Sequence, residues 1–299
     1  TGIGAAVCFP WLYTNYFELA AFLRSRYRRD PRGDSPHPYA FENERLCREV
    51  YQAFPETAGR LLPFAFFDPL RRTREQAAGI RDLAARFPLF GLKSATSYLH
   101  APVTALLKEG ACLLDLAAEL DLPVTLHSAV APGDPWANVF DILAVVRARP
   151  EVRFAIAHTC RFDRRALDAA AETANGFVDL SAFHIHCELA RQNHAAVAAP
   201  ASRFAADYRR PGEVMRRLAE AYPRNLVWAT DTPAHVWKSR GRDANGREFW
   251  LDLSCPPTAE AETLHRLPPG IRRRIAHDTT LRYLFGEDAP ARRLGGSDP

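Results

Sequence analysis

The chain has 299 residues, of which 47% are hydrophobic and 25% charged, a composition typical of soluble globular proteins. Its net charge of +4 comes from basic residues spread among acidic ones, which does not indicate a nucleic-acid-binding surface. The apolar runs are too short to cross a bilayer, and six scattered cysteines without a C-x-x-C pair favour a reduced, cytoplasmic protein.

Seven short apolar runs predict seven β-strands. Their side chains are nearly continuously hydrophobic, which is typical of parallel strands that are covered on both faces. In chain order the predicted strands are Ala5–Pro10, Leu61–Asp68, Leu89–Thr96, Pro123–Ser128, Arg153–His158, Phe177–Ser181 and Leu226–Asp231.

Amphipathic helices are predicted between these strands. They are Glu42–Phe54, Arg74–Arg86, Leu106–Leu120, Val139–Arg149, Arg164–Ala174 and Glu213–Tyr222. Strand–helix units of about 30 residues predict a parallel sheet, and seven of them favour a TIM (β/α)8 barrel formed as a single domain by residues 1–299. We expect the eighth strand upstream of Thr1, because the chain does not begin with methionine and contains only Met215. A doubly wound open sheet is the alternative, but no Gly-rich phosphate turn follows the first strand.

Three connections are longer than a barrel needs: 11–60, 182–212 and 232–269. All three leave the carboxyl ends of strands, so we expect them to form the walls of a site. The third contains Asn245-Gly246, a pair typical of a β-hairpin turn.

Three strands end on residues that bind metals or move protons: His127, His158 and Asp231. The carboxyl ends of parallel strands meet at one face, where the chemistry of such barrels takes place. Strand alternation puts His158 on the same side as Phe154 and Ile156, and we expect that side to face the barrel axis. Imidazole and carboxylate together suit Zn²⁺ or a similar ion. Taken singly, each residue is better explained as a hydrogen-bonded rim residue, a turn former or a helix cap. Three such residues at corresponding strand ends favour the functional interpretation instead.

The sequence resembles the amidohydrolase superfamily, in particular the branch that contains aminocarboxymuconate-semialdehyde decarboxylase. The resemblance extends over nearly the whole chain. The matching segments are Pro-Val-Thr-Leu-His127-Ser, Phe-Ala-Ile-Ala-His158-Thr-Cys, Gly-Phe-Val-Asp-Leu-Ser181-Ala, Leu-Val-Trp-Ala-Thr-Asp231-Thr-Pro233 and the terminal stretch from Ile275 to Phe285.

The resemblance implies a role for each strand-end residue. His127 matches a histidine that binds the metal, and His158 matches a histidine that acts as acid and base in the decarboxylase branch. Asp231 matches a metal-binding aspartate that also accepts a proton. The implied cofactor is a divalent metal, Zn²⁺ first and Mn²⁺ second.

One feature departs from the family pattern. The His-x-His pair of the family's first strand does not precede Ala5–Pro10, and we expect it on the strand upstream of Thr1. The only such pair in the sequence is His184-Ile185-His186. It predicts either a replacement pair of ligands or, more simply, a helix start or loop with solvent-facing histidines.

Four further residues are candidates for substrate contact: Lys93, Arg161, His235 and Trp237. Lys93 lies near the end of a predicted strand in a chain that has only three lysines, so we expect it to meet an anionic substrate. A structural lysine paired with a neighbouring acid is the alternative. An arginine in the position of Arg161 can bind a carboxylate bidentately.

Three functions compete at this stage. The first is a metal-dependent enzyme that hydrolyses a lactone, ester or amide, or that decarboxylates a small acid without oxidation. The second is a non-catalytic barrel with an incomplete metal site, and the third, weaker one is an open sheet that binds a nucleotide. We expect a small anionic substrate, neither nucleic acid nor membrane as partner, and a homodimer as one candidate assembly.

Overall fold

A computed structural model describes residues 2–10, 18–22, 24, 28, 30, 36–233, 238–242 and 247–287 of the chain. None of the helices in these ranges is both long and apolar enough to span a membrane. All six cysteines are free thiols.

Seven parallel strands form one sheet in which neighbours in sequence are neighbours in space, from β1 to β7. Each predicted strand is confirmed. Six of them are shorter than predicted and lie within the predicted bounds, and the remaining one, the sixth in chain order, begins one residue earlier and ends two residues earlier. The strands are β1 Ala6–Cys8, β2 Leu61–Phe66, β3 Gly91–Ser94, β4 Val124–Leu126, β5 Phe154–Ile156, β6 Gly176–Asp179 and β7 Leu226–Val227.

The helices of the described residues lie between and after these strands. The α-helices are α1 Leu19–Phe22, α2 Ala40–Arg48, α3 Thr73–Arg86, α4 Thr96–Leu99, α5 Ala111–Glu119, α6 Val139–Ala148, α7 Arg164–Ala171, α8 Phe183–Arg191, α9 Pro211–Ala221, α10 Pro257–His265, α11 Pro269–Arg273 and α12 Thr279–Phe285. Short 3-10 helices cover Pro55–Thr57 and Val103–Leu107, a left-handed turn covers His158–Phe162, and π-helical turns cover Glu49–Ala53 and Arg274–Asp278.

The two faces of the sheet bury different clusters. Side chains on the outer face, such as Val124 and Phe154, pack against the helices in the largest hydrophobic core. Side chains on the inner face, such as Phe64 and Phe177, form a second buried cluster. Because both faces are covered by apolar side chains, the strands read as continuous hydrophobic runs in the sequence.

Helix α12 closes one end of the inner cluster. Tyr283 and Leu284 are buried there together with Ala155 and Val227 of two strands. The Tyr283 hydroxyl lies 2.7 Å from Oγ1 of Thr125, which connects the end of the chain to the middle of the sheet.

Two of the long connections contain secondary structure that bears on the site. The 182–212 connection contains α8, and the 232–269 connection contains the antiparallel pair β8 Lys238–Arg242 and β9 Glu248–Asp252. The predicted Asn245-Gly246 turn lies outside the described residues, and so does most of the first connection before residue 36.

Candidate active site

The carboxyl ends of four neighbouring strands bring three predicted residues together with Ser181, which was not predicted. Lys93 lies within β3, His127 follows β4, His158 follows β5 and Ser181 follows β6. The strand ladder continues to the first of these histidines, because the His127 amide donates to the carbonyl of Ser94 over 3.0 Å. The site is therefore built on the sheet, which fixes its geometry.

The His158 side chain points into the site because of its backbone conformation and not because of strand alternation. Phe154 and Ile156 face the outer helices, so the alternation of β5 would turn His158 away from the barrel axis. The prediction that these three residues share an inward side is therefore wrong. The backbone at His158 is left-handed, with φ of 62°, and this reversal returns its side chain to the site.

The left-handed conformation continues from His158 through Phe162. All five residues have φ between 48° and 62°, in the region that costs roughly 1–2 kcal/mol for each residue other than glycine. The loop at 198–204 holds this turn in place. The amide of Ala198 donates to the carbonyl of Arg161, and the amide of Phe204 donates to that of Phe162, both over 2.9 Å.

The turn places the Arg161 guanidinium at the centre of the site. Its Nε donates to the carbonyl of Ser128 over 2.6 Å, and its Nη2 lies 3.0 Å from Nε2 of His127. Its Nη1 contacts Nε2 of His186, which belongs to α8. Arg161 and His186 are buried, whereas His127 is partly exposed and lies against the ring of Tyr98, with centroids 5.3 Å apart.

The hydrogen bonds define which nitrogen of each imidazole carries a proton. A guanidinium only donates, so Nε2 of His127 and Nε2 of His186 are acceptors. Nδ1 of His127 then donates to Nε2 of His158 over 3.1 Å. Nδ1 of His158 donates in turn to Ser181, whose hydroxyl oxygen is 3.0 Å away and whose carbonyl is 3.3 Å away.

The chain of hydrogen bonds ends on Asp179. Its Oδ1 accepts from the Ser181 hydroxyl, from the Ser181 amide over 3.0 Å and from the His158 amide over 3.1 Å. One carboxylate oxygen therefore fixes both the start of the left-handed turn and the serine that orients His158. The direction of donation runs unbroken from Arg161 to Asp179.

All three imidazoles are neutral, because burial and the nearby guanidinium both disfavour a further positive charge. Burial and then Arg161 hold the pKa values of His127 and His158 well below the ordinary range. The same two causes lower the pKa of His186 to about 3. Burial also lowers the pKa of Arg161, to about 10, which leaves the guanidinium charged at neutral pH.

Lys93 and Asp231 add a second cation and an acid to the site. Lys93 is buried, and its Nζ lies 5.3 Å from the centre of the Phe9 ring. Burial lowers the pKa of Lys93, opposed by the carboxylates of Asp179 and Asp231. Burial raises the pKa of Asp231 to about 6, with Lys93 acting in the opposite direction.

Two predicted substrate-binding residues, His235 and Trp237, lie outside the described residues. Two residues that the sequence reasoning did not select, Asp179 and Ser181, prove central. They occupy alternate positions after Phe177 of the inner face, and this alternation is the signal that could have found them.

The pair His184 and His186 is a helix start, as predicted, but His186 does not face solvent. It is 2% exposed, and its two nitrogens bind Arg161 and the carbonyl of Ala182. His184 points elsewhere, with Nε2 2.7 Å from Oγ1 of Thr263. The two imidazoles therefore do not converge as a pair of ligands.

The residues of the described ranges do not fit a divalent metal as they are arranged. No group of three or more His, Cys, Asp or Glu side chains among them could hold a metal ion. Nε2 of His127, the lone pair that a metal would need, accepts from Arg161.

The comparisons with known proteins agree with the barrel architecture. A family model described as amidohydrolase matches residues 10–286. An uncharacterised TIM-barrel protein from Bordetella bronchiseptica has a TM-score of 0.58 at 13% identity, over 97% of this chain and 80% of that one. This similarity shows the predicted α/β fold of the TIM type.

Two further solved structures are similar to the chain. Amidohydrolase 2 from Bifidobacterium longum subsp. infantis has a TM-score of 0.42 at 12% identity, over 94% of this chain and 97% of that one. IDCase from Metarhizium anisopliae has a TM-score of 0.45 at 17% identity, over 88% and 74%. No curated protein matches the sequence.

Proposed function

The chain belongs to the amidohydrolase family, and from this premise we propose that it is an enzyme that decarboxylates a small carboxylic acid without oxidation. The observation that supports this function best is the pair of buried cations, Lys93 and Arg161, in a cluster with proton-carrying side chains. Lys93 and Arg161 interact with the carboxylates of Asp179 and Asp231, and as charged donors they can also hold a substrate carboxylate.

The same pair of cations favours decarboxylation over hydrolysis of a lactone, ester or amide. A metal-dependent hydrolase needs an open coordination position where water is activated. In the described residues, the corresponding nitrogen of His127 is already hydrogen-bonded to Arg161. Decarboxylation instead needs charged groups that hold the substrate and a group that delivers a proton.

The reaction balances with one proton. The bond between the carboxylate carbon and its neighbour breaks, CO₂ leaves, and the electron pair stays on the neighbouring carbon, which then takes up a proton. We assign delivery of this proton to Asp231, because burial raises the pKa of its carboxyl to about 6 and so lets it carry a proton. His158, which Ser181 and Asp179 hold in one tautomer, is the second acid–base group of the proposal.

Members of the amidohydrolase family generally use divalent metals, and a Zn²⁺ or Mn²⁺ ion at His127 and Asp231 was expected from the sequence. The donor set of the described residues does not fit such an ion, so the proposal includes no metal-dependent step. A small anionic substrate remains part of the proposal, and so does a homodimer that acts without nucleic acid or membrane.

The proposal is tested by assaying the full chain for CO₂ release from a panel of aromatic and unsaturated carboxylic acids. The variant Lys93→Met removes one buried cation and is expected to raise KM by roughly 10- to 100-fold, the effect of losing one charge-assisted hydrogen bond. Lys108→Met is the matched control, because Lys108 is exposed and away from the site.

The outcomes separate the competing functions. CO₂ release that depends on Lys93 but not on Lys108 supports decarboxylation. Acid release from lactones or esters without CO₂ would assign hydrolysis instead. Tight binding of a carboxylic acid with no turnover of any substrate in the panel would overturn the enzyme proposal in favour of a binding barrel.

A further inference from the structure

The guanidinium of Arg161 lies between two imidazole nitrogens that point at it. Nε2 of His127 is 3.0 Å from Nη2, and Nε2 of His186 contacts Nη1. The Nε of the same group is bound to the carbonyl of Ser128, and both Arg161 and Ser128 are buried. A cation thus already occupies the point on which these two lone pairs converge.

A neutral imidazole has one lone pair in the ring plane, on the nitrogen without a proton. In His127 this lone pair accepts from Arg161, and the other nitrogen donates to His158. In His186 the lone pair also accepts from Arg161, and the other nitrogen donates to the carbonyl of Ala182 over 2.8 Å. Neither imidazole retains a lone pair for coordination while Arg161 is in place.

We propose that the Arg161 guanidinium is the resident cation of this site and takes the position at Nε2 of His127 that the family resemblance assigns to a metal. The inference deepens the proposed function and rests on it for the identity of the site. Arg161 would supply, as a fixed charge, the attraction for an anionic substrate that a metal ion supplies elsewhere.

The surroundings of Arg161 fit this role. The left-handed turn from His158 to Phe162 fixes the backbone from which the side chain starts, and the amide of Ala198 holds the Arg161 carbonyl. Burial disfavours the charged guanidinium, and the acidic groups Asp134, Asp231 and Asp179 oppose this effect.

A second cation makes metal uptake less favourable still. Lys93 is buried in the same site and interacts electrostatically with both His127 and Asp231. A divalent ion placed near both Lys93 and Arg161 would be repelled by two charges in a medium of low dielectric constant. Metal binding would therefore require the departure of Arg161.

The test measures metal binding without substrate. The full chain is freed of metal by dialysis against a chelator and titrated with Co²⁺, whose visible absorption reports coordination by imidazole, and then with Zn²⁺. The wild type is expected to bind neither ion stoichiometrically. Arg161→Ala frees the lone pairs of His127 and His186, so we expect it to bind Co²⁺ at least about 100-fold more tightly, the scale on which neighbouring groups tune metal affinity.

Two control variants define the cause. Arg161→Lys retains a positive charge at the site and is expected to bind no more metal than the wild type. Arg149→Ala removes a partly buried arginine between α6 and the start of β5, bonded to Asp115 and Glu151, and is expected to change nothing. If Arg161→Ala does not fold, as judged by circular dichroism, Arg161→Gln replaces it.

Stoichiometric Co²⁺ or Zn²⁺ binding by the wild type, lost on replacing His127, would overturn the inference and remove the argument against hydrolysis that rests on the same nitrogen. The CO₂ assay would still decide between decarboxylation and hydrolysis, because it does not depend on the titration. A folded, charge-removed variant that gains no metal would overturn the inference as well. Conversely, an absence of CO₂ release would count against the proposed function but not against the assignment of Arg161, because the titration needs no substrate.

Discussion

At the level of single residues, backbone conformation decides which side chains reach the site. His158, Ala182 and Asp231 each follow a strand end, and each has a positive φ, of 62°, 51° and 63°. This conformation reverses the direction of the chain and of the side chain within one residue. The reversals occur where the candidate chemistry is, which is a typical location of local strain in proteins.

Thr159 provides a test of this strain, because its φ of 56° is unfavourable for a β-branched residue and its buried hydroxyl has no partner in the described part of the chain. Both Thr159→Ala and Thr159→Gly remove the hydroxyl. Glycine adopts positive φ without cost, so we expect Thr159→Gly to be the more stable by about 1 kcal/mol, measured by urea denaturation.

In an ordinary helix the order of stability is reversed, and alanine is more stable than glycine. Ala78 is an exposed residue inside α3, and Ala78→Gly is expected to lose about 1 kcal/mol, as glycine does in ordinary helices. Greater stability of Thr159→Ala than of Thr159→Gly would show that the left-handed turn is not present in solution.

At the level of secondary structure elements, α8 depends on a residue from another helix. Ala182, at its N-cap position, has no side chain that could accept from the free amides of the first turn. Glu260 of α10 supplies the missing acceptor, with Oε1 3.0 Å from the His184 amide and a further bond to the Phe183 amide. Since α8 carries His186, this bond also helps to hold the partner of Arg161 in place.

Glu260 is expected to make stability depend on pH. Burial raises its pKa to about 7 from an ordinary value of 4.5. Between pH 4.5 and about 7, Glu260 is ionised in the unfolded chain but still protonated in the native state. The free energy of unfolding therefore falls as the pH rises through this range, by at most about 3 kcal/mol. Glu260→Gln should flatten this part of the profile, measured by denaturation between the two pH limits.

The control for Glu260 is Glu109→Gln, which changes an exposed carboxylate and should leave the pH profile of the wild type unaltered. Other groups contribute to the profile, so the difference between the wild type and Glu260→Gln is the informative quantity. An identical slope in both proteins would mean that Glu260 ionises normally in the native state.

At the level of the whole molecule, α12 joins the far end of the sequence to the barrel. The Tyr283 ring lies 5.4 Å from the ring of Phe177, centroid to centroid, and its hydroxyl bonds Thr125. Arg153 directly precedes β5. Its Nε donates to the Tyr283 carbonyl over 2.8 Å, and its Nη2 donates to the Leu284 carbonyl. These bonds connect residues about half the chain apart, and they cap the last turn of the helix.

Replacing Tyr283 should therefore lower the free energy of unfolding of the barrel. Tyr283→Ala is expected to lose about 3–5 kcal/mol, the cost of a large cavity in a core. Tyr283→Phe retains the ring but leaves the Thr125 hydroxyl without its partner, so we expect a loss of about 1–3 kcal/mol. Equal losses in the two variants, measured by the denaturation midpoint, would contradict the packing role of the ring.

The sequence by itself determined the order and position of the strands. Buried parallel strands appear as short apolar runs between amphipathic helices, and this local signal needs no knowledge of the tertiary structure. It placed β4 within a residue or two at each end and identified His127 and His158 as strand-end residues. The family resemblance followed from the same segments. The single-domain boundary and the upstream strand stay predictions.

Only the tertiary structure decided which groups meet. No local pattern indicates that Arg161 binds His127 and His186, which are 34 and 25 residues away. Strand alternation failed at His158, because the sign of φ there is set by Asp179 and by the 198–204 loop rather than by local propensity. Contacts between distant segments are determined by packing and hydrogen bonding across the whole molecule, so no local pattern could reveal them.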